Sequence, residues 1–177
     1  MKPTAGSGPS TGAAGVLSAD ARSAATGDIP DNQVFLVFSG AKAGWSMKYP
    51  EGWTRRGSGQ EVTFSDKNNL VHVVVGASKA PTTSSVAVEL RTLAAKEPAL
   101  SFKAPVTIAL PADPAAVKAV YTTQSAPNPV TGKRVTLIVD RYVLRRGTRV
   151  ATVDLGTPHG VDNVDAYRMM IRSFRWR

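Results

Sequence analysis

The sequence predicts an α+β protein, an antiparallel sheet with helices packed on it. Three observations lead there. Period-two alternation of apolar and polar residues recurs from residue 45 to residue 155, broken by turn clusters of Gly, Pro, Asn and Asp. Apolar residues at helical spacing occur in two places, after Ser84 and after Asp162. Several strands precede each helix, which is the order of an α+β chain rather than of repeating βαβ units. No internal repeat is present.

Residues 1–27 consist largely of Gly, Ala, Ser, Thr and Pro, with few large apolar side chains to offset the entropy of ordering a backbone. They read as a flexible tether, with a short amphipathic helix over 16–22 as the alternative. The folded domain is expected over 28–177. Residues 28–31 are turn-like, and 33–38 form a compact apolar segment, either a strand or one helical turn. Trp45, Met47 and Tyr49 then alternate with Ser46 and Lys48, so three large side chains face one core. Pro50 fixes φ, Gly52 tolerates positive φ, and Trp53 folds its ring back over that core. Residues 54–59 read as a polar loop and 61–65 as a strand, followed by a turn at 66–69. The β-branched run 70–75 suggests a strand covered on both faces. The strands at 45–49, 61–65 and 70–75 are expected to form a meander.

The first helix begins at an N-cap of Ser84 or Ser85, has Glu89 near its positive end, and carries Val86, Leu90 and Leu93 at helical spacing until Pro98. Its stripe needs a sheet face to cover. Residues 106–110 and 117–123 return to period two as a hairpin joined at 111–114, and 127–132 is a protruding turn. Residues 134–144 and 149–155 are long strands linked by Arg145-Arg-Gly-Thr148, the strongest hairpin signal in the chain. In the last helix Asp162 is a natural N-cap, with Asp165 three residues on. Val164, Tyr167, Ile171 and Phe174 make its stripe, and Arg172 and Arg175 lie near its negative end.

At 177 residues the chain allows one domain with a sizeable core. It has 22 Lys and Arg against 13 Asp and Glu, a formal net charge of +9 that favours anionic partners. There is no cysteine, which rules out disulfides, thiolate ligands and thiol nucleophiles. No apolar run approaches the roughly 20 residues of a spanning helix, and the N-terminus has no signal-like apolar region.

Little in the residues points to a reaction. His72 sits among aliphatic residues as a sheet histidine would, and His159 lies in a loop without a second His at ligand spacing. Thr131-Gly-Lys133 ends like a phosphate loop but lacks the upstream glycine and the strand-then-helix context. Asp162 and Asp165 are accounted for by helix capping, and no Gly-x-Ser-x-Gly elbow occurs. No catalytic residue, metal or cofactor is therefore expected. The basic residues do cluster. Lys133, Arg134, Arg141, Arg145, Arg146 and Arg149 fall on one hairpin, and Arg168, Arg172, Arg175 and Arg177 close the chain. Of these, Lys133, Arg134, Arg145, Arg146, Arg149, Arg172 and Arg175 are the candidate face for an anionic partner, with Asp140 and Asp154 able to neutralise part of the hairpin by cross-strand pairing. A binding module for a protein complex or an anionic envelope polymer or lipid is one reading. A soluble binder of nucleic acid or other polyanions is the other, and it is disfavoured because only Tyr142 interleaves with the basic hairpin.

Several segments, 28–33, 46–53 with its Tyr49-Pro50-Glu51-Gly52-Trp53 corner, 62–67, 129–133 and the terminal Ser173-Phe-Arg-Trp176, resemble an actinobacterial lipoprotein group of the PsbP-like superfamily, named for an extrinsic protein of photosystem II. The resemblance spans residues 28–177. It implies an α/β/α sandwich around a central antiparallel sheet, a non-enzymatic binding or assembly role, and an extracytoplasmic place at the cell envelope. It also implies a lipidated cysteine followed by a tether. This chain has no lipobox and no Cys, so the resemblance puts any anchor on a segment preceding Met1. A monomer with no cofactor is expected.

Overall fold

The computed structural model describes residues 27–40, 42–128 and 130–177. Apart from Gly27, the tether expected over 1–27 lies outside the described residues. Strands β1 (Phe35–Gly40) and β2 (Trp45–Pro50) form a hairpin, and the short C-terminal strand β11 (Arg175–Trp176) pairs with the other edge of β2. The remaining strands are β3 (Thr54–Ser58), β4 (Glu61–Asp66), β5 (Asn69–Ala77), β6 (Ser101–Phe102), β7 (Val106–Leu110), β8 (Asp113–Gln124), β9 (Thr136–Arg146) and β10 (Arg149–Pro158). They build one antiparallel sheet in the order β3-β4-β5-β10-β9-β8, with β6 and β7 in line along the outer edge of β8. Helix α1 (Thr83–Ala94) follows β5, and α2 (Val164–Ser173) follows β10.

The pleat sorts side chains onto two faces of the large sheet. Val71, Val73 and Val75 of β5, Ala151, Val153 and Leu155 of β10, and Tyr142 and Leu144 of β9 point to one face, where Phe38, Trp45, Met47, Tyr167, Met170, Ile171 and Phe174 cover them. That covering layer is the β1–β2 hairpin with α2 running into β11. Ser173 at the end of α2 accepts the Lys48 backbone N–H at 2.8 Å, so the helix lies alongside β2. On the other face, Val117, Ala119 and Tyr121 of β8 and Leu137, Val139 and Val143 of β9 pack under Val86 and Leu90 of α1. The expected α+β sandwich is present, with the second helical layer shared with the small sheet. Its anchor is Trp45, which is fully buried, stacks on Phe174 with ring centroids 5.7 Å apart, and donates its indole N–H to the Gly59 carbonyl at 3.0 Å. The corner closes as the sequence suggests, with Gly52 at φ +87°, the Trp53 N–H on the Pro50 carbonyl, and Trp53 buried.

Other expectations are corrected. Residues 54–58 form β3 rather than a loop; as an edge strand with every side chain exposed, it has no apolar period to reveal it. The meander therefore starts at β3, and residues 45–50 belong to the small sheet. Strand β5 is not covered on both faces. Val74 is 38% exposed and His72 half-buried, because α1 lies over β8 and β9 and stops short of β5. Helix α1 is capped by Thr82, whose hydroxyl accepts the Ser85 N–H at 3.0 Å while the Ser85 hydroxyl accepts the Thr82 N–H at 2.9 Å. In α2, Val164 is exposed and Met170 is buried in its stead. Asp162 accepts the Val164 N–H at 3.1 Å, but the cap position itself is Asn163. The Asn163 side chain is occupied elsewhere, accepting from the Ile29 N–H at 2.8 Å and donating to the Asn69 side chain at 3.0 Å and to the Gly27 carbonyl at 3.1 Å.

Candidate functional site: the basic end of the large sheet

The β9–β10 hairpin turns through Gly147 and Thr148, with Arg146 opposite Arg149. Gly147 stands at φ +63° and Thr148 does not share its sign, the backbone a two-residue II′ turn requires. The tip thus projects Arg145 and Arg146, both exposed, and neither enters an ion pair among the described residues. Asp113 at the start of β8 accepts the Arg145 backbone N–H at 2.6 Å and steadies the tip.

Arg149 is engaged in the fold. Its guanidinium lies 5.0 Å from the centre of the Trp176 ring, donates to the Ala43 carbonyl, and reaches the Gly44 carbonyl at 3.5 Å. Gly44 sits at φ +63°, a backbone that favours glycine, and a Cβ there would stand 2.8 Å from Arg149 Nη1 and push the guanidinium aside. The Arg177 N–H also donates to the Gly44 carbonyl, at 2.8 Å. The β1–β2 loop, the C-terminus and the β9–β10 hairpin therefore meet at one guanidinium. Beneath it the Trp176 indole N–H is buried with no hydrogen-bond partner among the described residues.

The structure divides the remaining candidates. Lys133 and Arg134 precede β9 and lie at its far end, roughly 35 Å from the tip at about 3.3 Å per residue. Arg134 there donates to the Ser125 carbonyl at 2.9 Å. Arg172 and Arg175 are exposed at the end of α2, where Arg175 donates to the carbonyls of Arg172 and Phe174 at 2.7 Å each, satisfying the negative helix terminus. Arg145, Arg146, Arg149 and the chain-end Arg177 are thus brought together at one end, with Arg172 and Arg175 on the adjoining C-terminal surface. Sequence reasoning missed Lys42, in the β1–β2 loop beside Gly44, and Lys79, next to Ser78, whose N–H donates to the Thr148 carbonyl at 3.0 Å. Neither follows a periodic pattern.

Arg141 leaves the basic group altogether. It is buried, donates through Nε and Nη2 to the two oxygens of Asp154 at 2.8 Å each, and reaches Glu89 of α1 through Nη1 at 2.8 Å. Tyr121 donates to the same Asp154 carboxylate at 3.3 Å. Burial, then the Asp154 charge, raises the Tyr121 phenol above its ordinary range. Asp140 pairs with Lys118 of β8 at 2.8 Å, so both hairpin aspartates neutralise cations other than the tip arginines. Tyr142 is buried and cannot stack on a base.

His72 lies on the open sheet face, with Nε2 2.9 Å from Glu61 Oε1, and His159 is exposed in the turn after β10. The 127–132 turn is organised by Asn128, whose Oδ1 accepts the N–H groups of Val130 and Thr131 at 2.9 Å. No group of three or more metal-ligating side chains occurs among the described residues. Nor, among those residues, is any helix long and apolar enough to cross a membrane. At the end of the sheet opposite the tip, Asp28, Asp31, Asp162 and Asp165 border a cavity of about 440 Å3, where Asp165 pairs with Arg168 at 2.8 Å.

No family model matches the sequence, and no curated protein matches it. Solved structures do. The solution structure of cyanobacterial PsbP (CyanoP) from Synechocystis sp. PCC 6803 has a TM-score of 0.55 at 14% identity, over 85% of this chain and 98% of that one. The Saccharomyces cerevisiae Ran-binding protein Mog1p has a TM-score of 0.55 at 10% identity, over 82% of this chain and 96% of that one. A Bacteroides thetaiotaomicron VPI-5482 protein matches 80% of this chain at 13% identity with a TM-score of 0.48, and this chain spans about half (48%) of its length. The fold is the PsbP-like one.

Proposed function

We propose that this chain is a non-enzymatic binding or assembly module that works outside the cytoplasm, held at the cell envelope as in the lipoprotein group its sequence resembles. Its basic end engages an anionic envelope polymer or lipid, or an acidic face of a protein complex. The observation that carries the reading is the tip, where Arg145 and Arg146 are exposed without carboxylate partners among the described residues, on the hairpin whose Arg149 meets the loop of Lys42 and, through Gly44, the Arg177 backbone. The +9 net charge reinforces the same preference. Mog1p, named as a Ran-binding protein, supports a binding role on this fold.

The test is sedimentation with phosphatidylcholine vesicles, with and without phosphatidylglycerol, across a salt series. The expected result is binding that needs the anionic lipid, weakens steeply as salt screens the charges, and falls with Arg145→Glu plus Arg146→Glu. Undiminished binding by that double variant removes the tip from the reading. Submicromolar affinity for one nucleic-acid sequence at physiological salt replaces the reading with the nucleic-acid one.

A further inference from the structure

Beside the tip is a cavity of about 260 Å3 whose lining includes Lys42, Gly44, Gln60, Gly76, Ala77 and Arg149. Among the described residues, no acidic side chain lines it. A guanidinium carries five N–H donors, and Arg149 gives two of its groups to the carbonyls of Ala43 and Gly44, which leaves donors to spare. The carbonyls and the Trp176 ring already fix that guanidinium, so a ligand does not have to order it. Lys42 is exposed and adds a second positive charge. Gln60 is held at the β3–β4 turn by its own carbonyl, which accepts the Val75 N–H at 2.7 Å, and its side-chain amide is a neutral donor at the rim. Gly44, Gly76 and Ala77 leave the space that larger residues would fill.

Two cations, one of them preorganised, an amide, and a lining free of carboxylates make a receptor for an oxyanion. We propose that this cavity binds a single phosphate or carboxylate group, with Arg149 and Lys42 supplying charge and Gln60 a hydrogen bond. The inference rests on the module reading above, the bound group being part of the anionic partner that the tip attracts. Arg145 and Arg146 draw a polyanion in, and the cavity grips one of its charged groups.

The experiment titrates the full 15N-labelled chain with inorganic phosphate, glycerol 1-phosphate and acetate in separate arms at constant ionic strength, read by amide and indole N–H chemical shifts. The expected result is saturable shifts at Gly44, Gly76, Ala77, the Gln60 side-chain amide and the Trp176 indole N–H. Lys42→Gln should weaken binding by about tenfold. Lys133→Gln, at the far end of β9, should leave it unchanged. Preference for glycerol 1-phosphate assigns a lipid or polymer phosphodiester, preference for inorganic phosphate assigns the free ion, and preference for acetate assigns a carboxylate. Shifts that do not saturate, that spread over the tip without reaching Gln60 and Gly44, or that survive Lys42→Gln overturn the pocket. If vesicle binding still depends on Arg145 and Arg146 in that event, the module reading stands without it; if both fail, the reading falls as well.

Discussion

Arg141 shows how one residue changes meaning once its surroundings are known. In the sequence it is one of several arginines on a basic hairpin, while in the structure it is a buried cation tied to Asp154 and Glu89. That Asp154 could pair across the hairpin was legible, but the register was not: the expected four-residue link 145–148 would set Leu144 opposite Arg149, whereas the turn is only Gly147-Thr148 and sets Arg141 opposite Asp154. Its burial was not legible, since that depends on α1 crossing β8 and β9. Asp154→Ala should leave the buried Arg141 with Glu89 as its one remaining carboxylate among the described residues and cost up to about 3–5 kcal/mol in urea unfolding. Adding Arg141→Met should recover much of that loss, and a double variant as unstable as the single one would show that the ion pair itself is not the cause. Ionisation at alkaline pH is the second expectation. Burial is the first cause raising the phenols of Tyr121, Tyr142 and Tyr167; at Lys118 burial is the largest single effect and lowers the ammonium, but the bond to Asp140 and the charges of Asp140 and Tyr142 together outweigh it and leave it raised. Groups whose proton is held more tightly in the folded state give stability that is full below their unfolded pKa, about 10 for Tyr, and is lost as pH rises beyond it. The urea midpoint should hold steady at neutral pH and fall above about pH 10, with a shallower fall in Tyr167→Phe. A midpoint that climbs over that range contradicts the assignment.

Long elements announce themselves and short ones do not. Strands β8, β9 and β10 each run ten residues or more, enough for period two to stand out, whereas β6 and β11 have two residues each and no period at all. The small sheet was therefore hidden, although β11 lies within the terminal Ser173-Phe-Arg-Trp176 segment that carries part of the resemblance. Its energetic centre is the stack of Trp45 on Phe174, and Trp45→Ala should cost about 3–5 kcal/mol by chemical denaturation. A loss under about 1 kcal/mol would mean the ring is not a core anchor. At the start of α1 the run Thr82-Thr-Ser-Ser85 offers four side chains able to cap, and sequence does not choose among them. Thr82→Ala should destabilise by about 1 kcal/mol. Ser84→Ala, outside the capping box, should be near neutral, and the reverse order would move the cap to Ser84.

Across the whole molecule, the cations of the tip are gathered from distant parts of the chain. The sequence supplied the number of cations but not their grouping, because residues as far apart in the chain as Lys42, Arg145 and Arg177 converge only when the β1–β2 loop and the C-terminus close on Arg149. Gly27 is held at the other end, where its carbonyl accepts from Asn69 at 2.5 Å and from Asn163 at 3.1 Å, beside the last residue of β10. Strand β10, ten residues and about 30 Å long, separates that grip from the tip. Protein immobilised through Asp31→Cys, an exposed position at that end, should capture phosphatidylglycerol vesicles, and protein immobilised through Arg146→Cys should capture few; equal capture would show that the basic end is not the contact. The position of Gly27 also sets an orientation. On the proposed envelope-held reading, a domain leashed there would stand on the end that Asp31 and Asp162 border and aim Arg145 and Arg146 outward, about one strand length from the surface that holds it, so that the lipid beneath it would be the anion the tip meets last.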